Sequence, residues 1–198
     1  MERFTDLNHY LKGAWNFLFR ATVERNNPFR NASIASIEDG VPQNRIVVLR
    51  EVNPQQRTLI YWTDKRSDKV AQLRSNPSLS ALFWNEKRKL QIRASGTTTL
   101  LQNNDLTREA WDKIGIRGRK SYATSQAPGT TIEQDSDGLP AQWGDDLDLQ
   151  DTEYAYDNFM IILQEVTSME CLHLHQEGHQ RARFDWNGEA WQSSWLVP

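Results

Sequence analysis

The chain has 198 residues, 38% of them hydrophobic, enough to bury a full core and of the size expected for one domain. Its one cysteine, Cys171, cannot form an internal disulfide. No basic-then-apolar leader opens the sequence and no apolar run nears the roughly 20 residues of a membrane-spanning helix, so a soluble protein in a reducing, cytoplasmic setting is predicted. The net charge of −3 hides an asymmetry: eight carboxylates (Glu133, Asp135, Asp137, Asp145, Asp146, Asp148, Asp151 and Glu153) are interrupted by no Lys or Arg. The remainder is mildly basic, suited to an anionic small molecule and too scattered for a nucleic-acid footprint.

Near the start, Leu7, Tyr10, Leu11, Ala14, Trp15, Leu18 and Thr22 recur at helical spacing, with Asp6 as N-cap and Asn26-Asn27-Pro28 as the stop. The aromatic stripe of Tyr10, Trp15, Phe17 and Phe19 is assigned to core packing. The period then becomes that of strands, over 32–38, 44–52 and 58–63, with Asp39 to Gln43 and Asn53-Pro54 as turns. A short helix fits Ser67 to Ser75, with Ser67 as its cap, and is followed by strands at 78–85 and 89–101. Asn104 or Asp105 caps another helix through Ile114. A loop over about 128–153, rich in acid, Gly and Pro, reads as a solvated excursion without chemistry. Strands follow at 158–166, 170–175, 180–185 and 191–197, turning at Glu177-Gly178 and at a two-residue Asn187-Gly188 hairpin. Eight or nine strands without βαβ alternation predict an α+β fold, a single domain over 1–198 built on an antiparallel barrel with peripheral helices.

Nucleotide-binding loops, nucleophile elbows and paired CxxC motifs are absent from the sequence. His173-x-His175-x-x-x-His179 offers two imidazoles on one strand face, but no carboxylate completes a ligand set, so no metal is predicted. More informative are cations inside apolar strands. In Arg45-Ile46-Val47-Val48-Leu49-Arg50 a guanidinium stands at each end of an aliphatic run, and a half-buried Arg needs an anionic partner. Positions 45 and 50 point to opposite faces of a regular strand unless a bulge intervenes. Thr63-Asp64-Lys65-Arg66-Ser67-Asp68-Lys69 passes from a strand into a capped helix, and the donors of Arg66, Ser67 and Lys69 there suit a phosphate.

Taken in order, R-I-V-V-L-R at 45–50, W-T-D-K-R-S-D-K at 62–69, L-R-S-N-P at 73–77, Phe83-Trp84, L-Q-I-R-A-S-G at 90–96, Ser125-Gln126 and R-x-R-F-D-W…W-x-x-x-W-L-V-P at 181–198 resemble the pyridoxamine 5'-phosphate oxidase-like family of FMN-binding split barrels. The resemblance implies a split β-barrel, FMN as cofactor and a homodimer with a small-molecule substrate, without nucleic acid or membrane. It places Arg45 and Lys69, aided by Arg66 and Ser67, on the FMN phosphate. Val47, Val48 and Leu49 run beside the isoalloxazine ring, with Arg50, Trp62 and Thr63 near it. Gln91 contacts the ring, Gln126 comes from the other subunit, and His173 and Arg183 approach the flavin.

Several positions depart from the oxidase pattern. Asp68 precedes Lys69 where a second arginine is usual, and His173 stands where a tryptophan is usual. His179-Gln180-Arg181 reverses the C-terminal substrate pair. Glu109, Lys113 and Arg117 occupy the positions of the oxidase's Tyr, Arg and Ser donors to the substrate phosphate. Lys113, Arg117, His179 and Arg181 are thus the substrate-facing candidates. A flavoprotein oxidoreductase of unidentified substrate is the leading expectation; a flavin-binding module without turnover and a true pyridoxamine 5'-phosphate oxidase are the alternatives.

Overall fold

The computed structural model describes residues 3–144 and 146–198; Asp145 of the acidic loop lies outside them. Helix α1 (Leu7–Val23) precedes strands β1 (Asn31–Glu38), β2 (Val41–Asn53) and β3 (Thr58–Asp64), then α2 (Asp68–Ser75), β4 (Ser78–Asn85) and β5 (Leu90–Leu101). Two short helices, α3 (Asp105–Asp112) and α4 (Ile116–Arg119), lead through the acidic loop to β6 (Phe159–His173), β7 (Gln180–Trp186) and β8 (Trp191–Leu196). The strands form one sheet in the order β3-β2-β1-β4-β5-β6-β7-β8, and an additional β3–β6 pairing closes six of them into a barrel. All pairs are antiparallel. The predicted α+β split barrel is therefore observed.

Two apolar layers hold it together. Ile34, Leu49, Leu59, Tyr61, Phe83, Ile92 and Phe184 fill the main core with α1 packed against it. The other faces of β3 and β6 give Ile60, Phe159 and Ile161 to a second cluster under α3, centred on the fully buried Trp111. Asp6 caps α1 by accepting from the His9 amide at 2.8 Å. Tyr10 and Trp15 are buried as predicted, whereas Phe19 is 49% exposed, since it falls one position beyond Leu18 and off the buried stripe.

Four boundaries differ from expectation. The β1–β2 turn is Asp39-Gly40 alone, both residues at positive φ, so β2 starts at Val41. Pro42 is tolerated there because the first half of β2 pairs β1 on one edge and has no strand on the other. The strands predicted at 158–166 and 170–175 are one 15-residue strand, β6. The Asn187-Gly188 turn is longer than two residues, because Trp186 pairs Trp191 and the Asn187 side chain accepts from the Glu189 and Ala190 amides. The third helix stops at Asp112, with Lys113 as its C-cap.

The acidic segment is not merely solvated. Leu139 and Trp143 pack against the second cluster. Glu153 accepts from Trp111 Nε1 at 3.0 Å and pairs with both Arg108 and the buried Arg119. Among the described residues, no helix is long and apolar enough to cross a membrane.

Where β6 lengthens past the barrel, the β5–β6 register shifts between Ser95 and Gly96. A Cβ on Gly96 would sit 1.8 Å from the Glu165 carbonyl oxygen, so only glycine fits this close approach. Gly96→Ala should therefore cost roughly 1–3 kcal/mol or more of stability, read as a lower urea midpoint; an unchanged midpoint would show that the register shift tolerates a side chain.

Candidate functional site

The barrel is open along one seam. Val41–Val48 of β2 pair with β1 while β3 joins β2 only from Leu49 onward, after a register shift at Leu49/Glu51. The far half of β3, Trp62 to Asp64, pairs instead with Ile161, Met160 and Phe159 of β6. The backbone edge of Val47 and Val48 thus carries no neighbouring strand on the β3 side. Val47 and Val48 are half-buried there, and Leu49 turns into the core.

Arg45 points inward from the open half of β2. Its guanidinium donates to Ser36 Oγ, to the Gln43 carbonyl at 2.8 Å and to Gln72 Oε1 at 2.9 Å. Lys69, in the first turn of α2, donates to Thr63 Oγ1 at 3.2 Å, and Thr63 shares a hydroxyl contact of 3.2 Å with Ser67. Ser36, Thr63, Ser67 and Gln72 are all buried. Neither cation has an ion pair among the described residues; every contact above is to a neutral oxygen. Burial depresses the Lys69 pKa below its ordinary 10.5, and the charge of Arg45 depresses it further, while Asp64 and Asp68 oppose this. Burial also lowers that of Arg45. Two half-buried cations that disfavour each other, surrounded by hydroxyl donors, fit a bound dianion such as a phosphate.

Two of the helix-start residues behave differently from expectation. Arg66 turns away to Asp64, with Nη2 2.7 Å from Oδ2, and to the Thr124 carbonyl at 2.8 Å. Ser67 occupies the N-cap position of α2 without capping it, its hydroxyl donating to the Asp64 carbonyl at 2.7 Å. Asp64, a neighbour that the sequence reading passed over, is what withdraws Arg66.

Residues 12–102 match the family model described as pyridoxamine 5'-phosphate oxidase, FMN-binding domain. That segment, from within α1 to the end of β5, is thus similar to the FMN-binding domain of the pyridoxamine 5'-phosphate oxidase-like split barrels. A pyridoxamine 5'-phosphate oxidase-related, FMN binding protein from Nostoc punctiforme superimposes on this split barrel with a TM-score of 0.72 at 20% identity, covering 94% of this chain and 96% of its own. PhzG from Burkholderia lata, solved in complex with tetrahydrophenazine-1-carboxylic acid, gives 0.71 at 18% identity over 96% and 92%. General Stress Protein 26 from Bacillus anthracis gives 0.50 at 11% identity over 81% and 98%. At these identities the three share the fold. No curated protein matches the sequence.

The other predicted residues of the split barrel fall into three places. Arg50 lies on the side of β2 opposite Arg45, its guanidinium carbon 4.3 Å from the Trp62 ring centroid. With Lys113, Ile114, Gly115, Gly118 and Tyr122 these two line a cavity of about 270 Å³. Buried Nε of Arg50 and Nε1 of Trp62 both lack a hydrogen-bond partner, and an unmet buried donor costs roughly 1–3 kcal/mol. Burial raises the Tyr122 phenol to about 12. Arg117 lines the adjoining cavity, and Glu109 is exposed on α3. Gln126 is exposed in the segment after Thr124, its backbone carbonyl accepting from Thr124 Oγ1 at 2.9 Å, and that hydroxyl accepts in turn from Arg66.

Gln91 and Arg183 stand on the outward face of β5 and β7, the latter paired with Asp185 at 2.7 Å. Three strand spacings separate Gln91 from β2, about 14 Å along the sheet, so one copy does not bring it to Arg45. His173 is 2% exposed at the far end of β6, edge-on to Phe4 and 5.3 Å from the His175 ring. His179 and Arg181 line a separate cavity with Arg3, Phe4 and Trp195, and Arg181 is held by Glu170 at 2.8 Å. No group of three metal-binding side chains occurs among the described residues.

The electrostatics carry a pH dependence. A dianion in this cradle would be held by the cationic form of Lys69, whose pKa burial lowers below 10.5. FMN affinity should therefore stay level near neutrality and begin to fall as pH rises toward that lowered value, and Lys69→Arg should displace the fall upward. Equilibrium dialysis across alkaline pH checks this; affinity level up to pH 10.5 would contradict it.

Proposed function

We propose that this split barrel is an FMN-dependent oxidoreductase that works as a symmetric homodimer on a small anionic substrate, in a reducing cytoplasmic setting. The observation that carries the reading is the cation pair, Arg45 and Lys69, held at the open seam by buried hydroxyls and the Gln72 amide and without an ion pair among the described residues. That donor set fits a terminal phosphate, which favours FMN over a dinucleotide whose phosphates are internal. The unpaired edge of Val47 and Val48 offers backbone donors and acceptors to the ring's polar edge. FMN, when bound, supplies the two-electron redox chemistry.

The chain's residues divide the remaining work. Arg45, Thr63, Ser67 and Lys69 anchor the phosphate, while Arg50, Trp62 and Lys113 face the substrate from the small cavity beside the seam. Gln91, three strands from β2, completes the flavin site from a second copy, together with Arg183 on the same open sheet face. Ile46, Leu82 and Trp84 are exposed apolar residues on that same face, 73%, 39% and 38% accessible, and suit an isologous contact. Pyridoxamine 5'-phosphate is a poor substrate for such a site. Glu109 brings a negative charge to the helix where a neutral donor belongs, and Arg181 is already held by Glu170, a carboxylate it shares with Arg93.

Replacing Arg45 and Lys69 together by Ala should yield protein that loses FMN during purification, each charge-assisted contact contributing roughly 1.5–3 kcal/mol. The absorbance of the purified double variant checks this, and full flavin occupancy would overturn the phosphate assignment. Light scattering of the parent chain should give the mass of a dimer, and Ile46→Asp should shift the population toward monomer; a monomeric parent that retains flavin would refute the shared site.

A further inference from the structure

Residues 3–5 run ahead of α1 as a strap across the barrel end where β6 stops and β7 begins. The Phe4 amide donates to Gln180 Oε1 and the Phe4 carbonyl accepts from Gln180 Nε2, both at 2.9 Å. The Phe4 ring stacks on Tyr10, with centroids 3.8 Å apart and planes 12° from parallel. Arg3 Nη1 donates to the Glu177 carbonyl at 3.1 Å. The helix is shaped for this contact, since a Cβ on Gly13 would stand 2.9 Å from Phe4 Cε1. Glycine inside a helix is unfavourable relative to alanine, and the ring it admits accounts for this one. The strap is also a partition. Arg3, Phe4 and Thr5 line both the cavity of about 380 Å³ that holds His179 and Arg181 and a second of about 700 Å³ along α1, bounded by His9, Asn16 and Phe17.

Under the strap lies His173, 2% exposed, with the Phe4 ring edge-on to it at 6.0 Å. Gln180 hydrogen-bonds the imidazole, while its buried Nδ1 has no partner. Burial first, then the charges of His175 and Arg3, hold its pKa below the ordinary 6.5, and the Gln180 bond opposes them. The other ionisable groups at this end bring it no counter-charge. His9 and Tyr10 of α1 meet Phe4 rather than the imidazole, and the Cys171 thiol of β6 is held protonated by burial. Lys89, before β5, is held by Glu86, and Arg181 of β7 by Glu170. In the β6–β7 turn His179 faces the smaller cavity, and Glu177 is exposed with its carboxylate toward His175. A proton on Nδ1 would thus be a buried donor without an acceptor, near the cationic Arg3. Lifting the strap gives it water. We propose that Arg3, Phe4 and Thr5 form an acid-released strap: protonation of His173 detaches Phe4 from Gln180 and Tyr10 and joins the two cavities into one groove. The inference is independent of the flavin reading. Its sign follows from linkage. The strapped form, with a depressed His173 pKa, is fully favoured above pH 6.5, and below that the open form gains up to about tenfold per pH unit until the strapped pKa is passed.

Hydrogen exchange of the Phe4 amide in the whole chain, expressed as protection relative to the intrinsic rate at each pH, tests this. Protection should be level above neutrality and fall about fivefold to tenfold by about pH 5.5, while the amide of the fully buried Ile162 keeps its protection. His173→Phe and His173→Leu should each hold Phe4 protection at that pH within about twofold of its value near pH 7.5. Gly13→Ala, which pushes on the Phe4 ring, should lower Phe4 protection near pH 7.5 as acid does in the parent, although alanine favours the helix. Level protection through pH 5.5 in the parent, an acid loss retained in both His173 variants, Ile162 losing protection in step with Phe4, or full Phe4 protection in Gly13→Ala would each overturn the proposal.

Discussion

One buried amide ties the barrel shut. Gln164 of β6 is fully buried, accepts from the Tyr61 hydroxyl at 3.0 Å, and donates to the carbonyls of Leu79 and Ala94, each at 3.1 Å. Four strands, β3, β4, β5 and β6, thus meet at one polar side chain in an otherwise apolar interior. A buried amide is tolerable only when its hydrogen bonds are made, and the bond from Tyr61 is made only while β3 stays closed on β6. The closure has a structural consequence: β3 follows β6 through Asp64, so it departs from β2 after Leu49 and leaves the seam.

The seam sets the chemistry. An unpaired strand edge is a liability unless something covers it, and here the edge runs past two half-buried cations that have no ion pair among the described residues. Asp64 could have neutralised them but is engaged by Arg66, which also ties α2's approach to Thr124. The Asp64 carboxylate is therefore engaged by Arg66, while Asp68 acts on Arg45 and Lys69 without forming an ion pair with either among the described residues. On the other side of β2, Arg50 stacks on Trp62, which packs against the second aromatic cluster. Strand alternation alone already sent Arg45 and Arg50 to opposite faces; the bulge lets Val52 return to the core beyond them.

What could be read from the sequence was whatever is local. The aliphatic run at 46–49, the Asp6 cap and the cation series at 45, 66 and 69 carry their meaning within a few residues, and the ordered motifs carried the family. Contacts closed over long separations could not be read. Arg119 looked like one more surface arginine, yet it is 3% exposed, stacked 4.4 Å from the Trp111 centroid and bonded to Leu149, Thr152 and Glu153. Gln180 likewise exchanges two 2.9 Å bonds with the Phe4 backbone, 176 residues away, which draws the N-terminal segment over His173 and explains that histidine's burial. Trp143 was legible as an apolar residue in an acidic loop, and that mismatch was the available sign that the loop docks.

Arg45 and Lys69 mark where a phosphate would sit. A crystal structure of the FMN-loaded protein tests that directly: the phosphate should lie within hydrogen-bond distance of Arg45 and Lys69 of one protomer, with Gln91 and Arg183 of a second copy beside the ring. Flavin bound away from the β2–β3 seam, or phosphate contacts that omit both cations, would contradict it.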